Sequence, residues 1–416
     1  MDFLSGLNPQ QRQAVTASDG PVLVLAGPGS GKTRVLTHRV AYLLRERGLP
    51  PYRVMAVTFT NKAAREMQER VDILLGGRAH GLAIGTFHSL CARMLRREAE
   101  HLPVTRDYVI YDESDQRALV KQVIHALNLD EKQNSPAALL GAIGRAKNEL
   151  IGPDDYPVAT YADEVIARVF QRYQALLVQN NALDFDDLLT GTVYLFRDHP
   201  DVLAKYQRQY QHVLVDEFQD TNTAQYTLLR CLSETHHNLY CVGDPDQSIY
   251  RFRGADYRNV HRFQHDHPDA ATVLLEQNYR STQTILDAAM AVIDKNPGRT
   301  RKSLFTERGS GPQVTAHEAY DENEEAQYVL DTIATLTASN KIRPGDCAVM
   351  YRTNAQSRVL EDAFVRANLP YKLVGAQRFY GRREIKDLLA YLRLIHNPAD
   401  SVSAARVLNV PPRGIG

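Results

Sequence analysis

Tryptophan is absent from these 416 residues, and cysteine occurs only four times. Cys91, Cys231, Cys241 and Cys347 lie far apart, with no CxxC pair and no histidine at zinc-ligand spacing, which excludes a disulfide framework and a thiolate metal cluster. They read as buried thiols in a reducing compartment. Charge of one sign is missing as well, since 49 Lys+Arg balance 49 Asp+Glu. A surface for a polyanion must therefore be a local patch rather than the field of the whole chain. No apolar run approaches a membrane span, and the opening MDFLSGLNPQQ has neither the basic start nor the apolar centre of a secretory signal. Internal repeats and low-complexity tracts are lacking too. What remains is the composition of an ordinary globular protein, too long for one compact core, expected to hold two or three domains in the cytoplasm and to avoid membranes.

What is present begins with alternation. The short runs PVLVLAG, RVMAVTFT, GLAIGTFHS, HVLVDE, LYCVGD, TVLLEQ and DCAVMYRT alternate with helical stretches, as in a parallel sheet covered by helices. Ligands of such sheets collect at the C-terminal strand ends, where Lys32, Phe59, His88, Asp216, Asp244 and Asn278 stand. Between about Tyr108 and Leu183 the strand signal disappears. There ESDQRALVKQVIHAL and SPAALLGAIGRAKNEL run with helical periodicity, the second with a Ser135 cap and Pro136 in its first turn, which reads as a helical insertion. A linker-like stretch, KNPGRTRKSLFTERGSGP, follows Ile293, and PQVTAHEAY and GDCAVMYRT then supply strands for a second lobe. The boundaries so drawn give a first α/β lobe over 1–106 and 183–275, interrupted by the insertion over 107–182. The N-terminal part of a second lobe covers 276–377, and the start of a further helical insertion covers 378–416.

Chemistry enters at LAGPGSGKTRV, Leu25 to Val35. Residues Ala26 to Thr33 fit a phosphate-binding loop with Ala26 in the first glycine position. Gly27, Gly29 and Gly31, with Ser30 among them, bring backbone N–H groups to the phosphates, Lys32 reaches the β and γ phosphates, and Thr33 ligates Mg²⁺. Hydrolysis needs a carboxylate at the metal and a group that orients water. HVLVDEFQD supplies both: Asp216 at a strand end for Mg²⁺, and Glu217 to accept a proton from the attacking water. A lone acid pair of this kind also caps helices. Gln247, in VGDPDQS, is suited to hydrogen-bond the γ-phosphate and the water. Arg280, in LEQNYRS, is a candidate cation for the transferred phosphoryl group, although an isolated arginine of that sort is more often a surface ion pair.

LNPQQ, AGPGSGKT, VTFTNKAAREM, GTFHS, LDFDDLL, VDEFQDT, VGDPDQSIYRFRGAD, LEQNYRS and YRTNAQSR follow one another in that order along the whole chain. Together they resemble the superfamily 1 DNA helicases of the UvrD/PcrA/Rep type. The resemblance implies an α/β RecA-like P-loop lobe with a helical insertion, plus part of a second RecA-like lobe. It implies ATP and Mg²⁺, and 3′ to 5′ movement on single-stranded DNA and single-strand/duplex junctions, in repair or replication and with partners from those processes. It further implies that Gln11 recognises adenine with Arg34 and Tyr279 packed about the base, and that Phe59, Asn61, His88, Tyr250, Phe252, Arg253, Arg352 and Asn354 line the DNA groove. Bases stacked on Phe59, Tyr250 and Phe252 are worth about 1–3 kcal/mol each, whatever their sequence, whereas aromatics in strands otherwise belong to the core. Family members often carry Trp where Phe252 stands, so the stacking face here is smaller. The basic clusters Arg93, Arg96 and Arg97, or Arg378, Arg382 and Arg383, fit phosphate contact or a solvated helix face equally well.

The family's histidine and KGLE segment and its second arginine segment are not found before NVPPRGIG. The chain is accordingly expected to be the N-terminal portion of such a helicase. The rival reading is a nucleotide-dependent single-strand-binding module that does not unwind. A P-loop kinase of small molecules would leave Phe59, Tyr250 and Phe252 without a purpose.

Overall fold

The computed structural model describes residues 3–77, 79–256, 258–296, 299, 301–338, 342–374 and 382–414, and at Arg253 the backbone only. They fall into two compact units, Met1–Gly311 with Asp387–Gly416, and Pro312–Lys386.

The first unit is organised by a six-stranded sheet of β1 (Val22–Ala26), β2 (Val54–Thr58), β3 (Ala83–Thr86), β6 (His212–Val215), β7 (Leu239–Gly243) and β8 (Ala271–Leu275). Their order is β3-β2-β6-β7-β1-β8, with every pairing parallel. Parallel sheets are covered on both faces, so their central strands read as unbroken apolar runs. VLVLA, VMAVT, HVLV and LYCVG are buried along their whole length. Period-2 alternation then divides each run between two cores. Leu23, Leu25, Met55, Val57, Val213, Val215, Leu239 and Cys241 face one. Val22, Val24, Val54, Ala56, Leu214, Tyr240 and Val242 face the other. This is the helix-covered parallel sheet that the alternation implied.

The insertion departs from its reading as purely helical. Strands β4 (Val109–Tyr111) and β5 (Ala182–Asp184) pair in parallel as a separate two-stranded sheet at its two ends. Three-residue strands over 70 residues apart in sequence carry no local signal; only the ladder makes them strands. The three helices Glu113–Ala126, Pro136–Asn148 and Tyr161–Gln179 bury Leu119, Val123, Ile143, Val169, Phe170 and Leu177 in a core of their own. Ser135 does occupy the N-cap before Pro136, but its side chain makes no capping hydrogen bond.

One lysine fastens this insertion. Lys147, buried on the helix Pro136–Asn148, reaches Asp184 Oδ2 and Asp187 Oδ1 at 2.7 Å each. Tyr173 donates to Asp184 at 2.9 Å and Gln174 to Asp187 at 3.0 Å. A buried ion group tolerates desolvation only when its remaining lone pairs are satisfied in this way. Residues 387–414 also pack here: Arg393 meets Asp115 at 2.7 Å, Tyr111 donates to Asp400 at 2.6 Å, Asn397 donates to the carbonyls of Asn180 and Asn181, and Val402 joins the core.

In the second unit, the helices Glu322–Ala338 and Ser357–Arg366 enclose a small core of Ala326, Leu330 and Ala363. The strands expected of PQVTAHEAY and GDCAVMYRT are not formed among the described residues, where the only regular piece of these runs is the turn Pro344–Asp346. A β-prone run becomes a strand only through a ladder partner, and Val314 and Met350 stand exposed without one. Cys91 and Cys241 are buried as expected, burial pushing the Cys91 thiol up to about 12, but Cys231 and Cys347 are only half-buried. Among the described residues no helix is long and apolar enough to cross a membrane.

Candidate nucleotide and nucleic-acid site

The loop after β1 is shaped by its glycines. Gly29 and Gly31 take φ of +64° and +89°, in the left-handed region that penalises a side chain. A Cβ on Gly29 would come within 2.7 Å of Asn278 Nδ2, and one on Gly31 within 2.9 Å of Gln11 Nε2. Gly31 then caps the helix Lys32–Arg45, whose first N–H groups and dipole make an anion site of this loop. Ser30 turns inward, its hydroxyl donating to the Gly27 carbonyl at 2.7 Å.

Asp216 follows β6 directly. Thr33 donates to its Oδ2 at 3.2 Å, and burial, then the charge of Glu217, push its carboxyl up to about 6. The same two causes, in the same order, bring Asp220 up to about 6. Lys32 Nζ is buried, lies 3.2 Å from Glu217 Oε2 and has no hydrogen-bond partner. A buried ammonium with unspent donors, next to a hydroxyl and a carboxyl that lack positive charge, fits a triphosphate and its Mg²⁺; Thr33 and Asp216 are the residues that would hold the metal. Glu217 itself has φ +51°, a conformation that costs a non-glycine residue about 1–3 kcal/mol and is found at sites that need a side chain aimed precisely where it is. Gln219 donates to Glu217 Oε2 at 2.9 Å and accepts from the Asp244 N–H at 2.8 Å, so Glu217 is tied to the end of β7. Gln247 donates to Asp244 Oδ2 at 2.6 Å.

The NYRS segment hugs the loop from the other side. Asn278, buried, donates to the Pro28 carbonyl and accepts from the N–H groups of Arg280 and Ser281 at 2.8 and 2.7 Å. The Tyr279 N–H donates to the Gly29 carbonyl at 2.9 Å, and the exposed Arg280 side chain starts beside Gly29. Tyr279 Oη accepts from Asn8 at 2.8 Å. Gln11 is buried and donates to the Ser30 carbonyl at 2.8 Å, and Arg34 donates to the Gly6 carbonyl at 2.9 Å. The first unit thus brings Gln11, Gly27 to Arg34, Asp216, Glu217, Tyr279 and Arg280 around one loop. Asn278, expected only as a strand-end residue, and Gln219, which was not singled out, hold it in shape.

Aromatic residues gather beyond the C-terminal ends of the strands. Phe59, after β2, stacks on Tyr250 with ring centroids 6.3 Å apart and planes 14° apart, and Tyr250 meets Phe252 at 6.0 Å. Tyr250 and Phe252 belong to a turn rather than to the end of β7, and Phe252 has 74 % of its surface exposed, which sets it apart from the core. His88, after β3, meets Phe185 edge-on at 5.9 Å; burial lowers the His88 pKa, favouring the neutral ring. Phe185, half exposed, was not among the expected residues; its one signal was an aromatic set between acids in LDFDDLL. Asn61 opens the helix Asn61–Leu75 behind its Thr60 cap. Arg352 and Asn354 lie exposed on the second unit. The Arg253 side chain and Arg378 fall outside the described residues. Arg96 is committed internally, over the Tyr108 ring at 4.9 Å.

Comparison with known proteins gives the family. Residues 7–268 match the UvrD/REP helicase N-terminal domain, and residues 273–416 match the UvrD-like helicase C-terminal domain. The chain is 49 % identical, over all of its 416 residues, to the ATP-dependent DNA helicase PcrA of Bacillus subtilis and to that of Staphylococcus aureus, covering 56 % and 57 % of those proteins. To PcrA of Leuconostoc citreum it is 49 % identical over 415 residues, 55 % of that protein. It spans about half the length of the curated relatives it matches.

Proposed function

The chain belongs to the UvrD/REP helicase family, and from that premise we propose that it carries the ATP-hydrolysing and strand-gripping elements of a 3′ to 5′ DNA helicase acting in the cytoplasm in repair or replication. The observation that carries the proposal is Lys32: a buried ammonium without a hydrogen-bond partner, at the mouth of a glycine-shaped loop and 3.2 Å from Glu217. Thr33 and Asp216 would hold Mg²⁺, which would supply positive charge to the phosphates.

The residues of the chain do the rest. Lys32 leaves Glu217 for the phosphates, which frees the Glu217 carboxylate to take a proton from water. Gln219 keeps that carboxylate in place, Gln247 orients the water against the γ-phosphate, and Arg280 answers the charge of the transferred group. Gln11 and Tyr279 hold adenine beside Arg34. Bases of a single strand, or of the strand emerging from a junction, stack on Phe59, Tyr250, Phe252 and Phe185, and Asn61 and His88 add polar contacts. A binding module without hydrolysis would have no use for the strained Glu217 and its Gln219 strap.

Lys32→Ala tests the proposal. It is expected to abolish ATP binding and turnover while the melting curve stays that of a folded protein, because this lysine serves phosphate charge rather than the core. Near-normal hydrolysis in the variant would remove the nucleotide site.

A further inference from the structure

The stretch that reads as a linker, 295–312, contains a lysine that is buried. Lys302 Nζ pairs with Asp244, which has no exposed surface, and lies 3.0 Å from Asp246 Oδ2. Arg299 meets Asp246 through two parallel contacts of 3.0 Å and also pairs with Asp294. Burial opposes ionisation of Asp246, yet Arg299 and Lys302 together hold its carboxyl below the ordinary value. The Asp244 carboxylate is therefore shared: Oδ1 goes to the Lys302 ammonium and Oδ2 to the Gln247 amide at 2.6 Å.

A buried carboxylate persists only with a cation or with its lone pairs satisfied. Lys302 and Gln247 are the only side chains that donate to Asp244 among the described residues. With the lysine gone, Oδ1 keeps only the Asp246 N–H at 3.2 Å and the rest of the demand of that carboxylate falls on the Gln247 amide, and an amide held there is withheld from a γ-phosphate. With the lysine present, most of the demand is met at Oδ1, and the Gln247 amide at Oδ2 is held less firmly. We infer that Lys302 is a positioning residue for Gln247, its ion pair with Asp244 setting how readily Gln247 reaches the γ-phosphate and hence how well the site tells a nucleoside triphosphate from a diphosphate. This rests on the reading of the P-loop as the nucleotide site. The consequence falls on the triphosphate alone, because a diphosphate offers Gln247 nothing to reach.

The test is equilibrium binding of fluorescent Mg-ADP and of a fluorescent, non-hydrolysable β,γ-imido Mg-ATP analogue to the full chain. The variants are Lys302→Met, Lys302→Gln, Lys302→Arg and the double variant Asp244→Asn/Lys302→Met. Diphosphate affinity is expected to stay within about twofold throughout. Triphosphate affinity should fall roughly tenfold in Lys302→Met, the size of one lost hydrogen bond to a charged group. It should recover in Lys302→Arg, which restores the cation, and in the double variant, where a neutral amide replaces the stranded carboxylate. Lys302→Gln keeps a hydrogen bond to Asp244 without the charge; it should show a smaller loss of the same selectivity and decides the matter if Lys302→Met does not fold. Equal weakening of both nucleotides, or unchanged triphosphate affinity in the folded variants, overturns the role of Lys302 alone. Failure of the wild-type chain to bind either nucleotide overturns the P-loop reading and this inference with it.

Discussion

Replacing Phe252 with Ala separates a binding role from a packing role, because the ring is three-quarters exposed. The buried quarter of a side chain of roughly 200 Å² is about 50 Å², worth ~1 kcal/mol of stability at about 25 cal/mol per Å². A base stacked on the ring is worth about 1–3 kcal/mol, which is roughly a 5- to 150-fold change in Kd. The variant should therefore melt close to wild type and bind single-stranded DNA far more weakly, with Phe59 and Tyr250 still stacked on each other. Fluorescence anisotropy with labelled oligonucleotides of different base composition reads the affinity, and thermal melting reads the stability. The loss should be nearly the same for every composition, since each base offers a π-face, and Phe252→Trp should equal or exceed wild type. Unchanged affinity together with a lowered melting temperature would refute the reasoning and return Phe252 to the core. A loss confined to one base would refute stacking as the cause.

Glu217→Gln keeps the shape of the side chain but removes the proton acceptor. It should bind Mg-ATP with near-normal affinity and turn over roughly 10²- to 10⁴-fold more slowly in single-turnover assays; loss of nucleotide binding would show that Glu217 serves the phosphate and not the water. In the insertion, burial and then the charge of Asp184 bring the Asp186 carboxyl up to about 7, against about 3.9 in the unfolded chain. The folded protein then holds that proton more tightly, so the stability from this group is complete below about pH 4 and is lost as pH rises through about 7. Asp186→Asn should accordingly raise the melting temperature at about pH 8 and change it little at about pH 4, and a gain of the same size at both would contradict the shift.

The nucleotide loop was legible because everything that defines it is local: a buried strand, glycines at the positions of positive φ, and a lysine and threonine opening a helix. The central strands were legible for a related reason, since burial on both faces leaves an unbroken apolar run in VLVLA or LYCVG. What escaped depends on partners distant in sequence. β4 and β5 are too short to announce themselves and exist only through each other. PQVTAHEAY has the composition of a strand yet forms none, because composition supplies no ladder. Nothing local in AKNEL or RTRKS marks Lys147 or Lys302, and only the fold surrounds them with Asp184 and Asp187, or with Asp244 and Asp246. Asn278 was noticed as a strand-end residue, but its grip on the Pro28 carbonyl is a contact across 250 residues.

The central claim is that phosphate chemistry at Lys32, Asp216 and Glu217 is coupled to a single strand resting on Phe59, Tyr250 and Phe252. The most direct test is the steady-state rate of Mg-ATP hydrolysis by the purified chain as an oligothymidylate is titrated in. The account predicts a slow basal rate that rises to saturation with the oligonucleotide, with the half-maximum displaced to higher concentration in Phe252→Ala and the rise abolished in Glu217→Gln. A rate indifferent to the oligonucleotide at every concentration, in a chain that demonstrably binds both ligands, would contradict it.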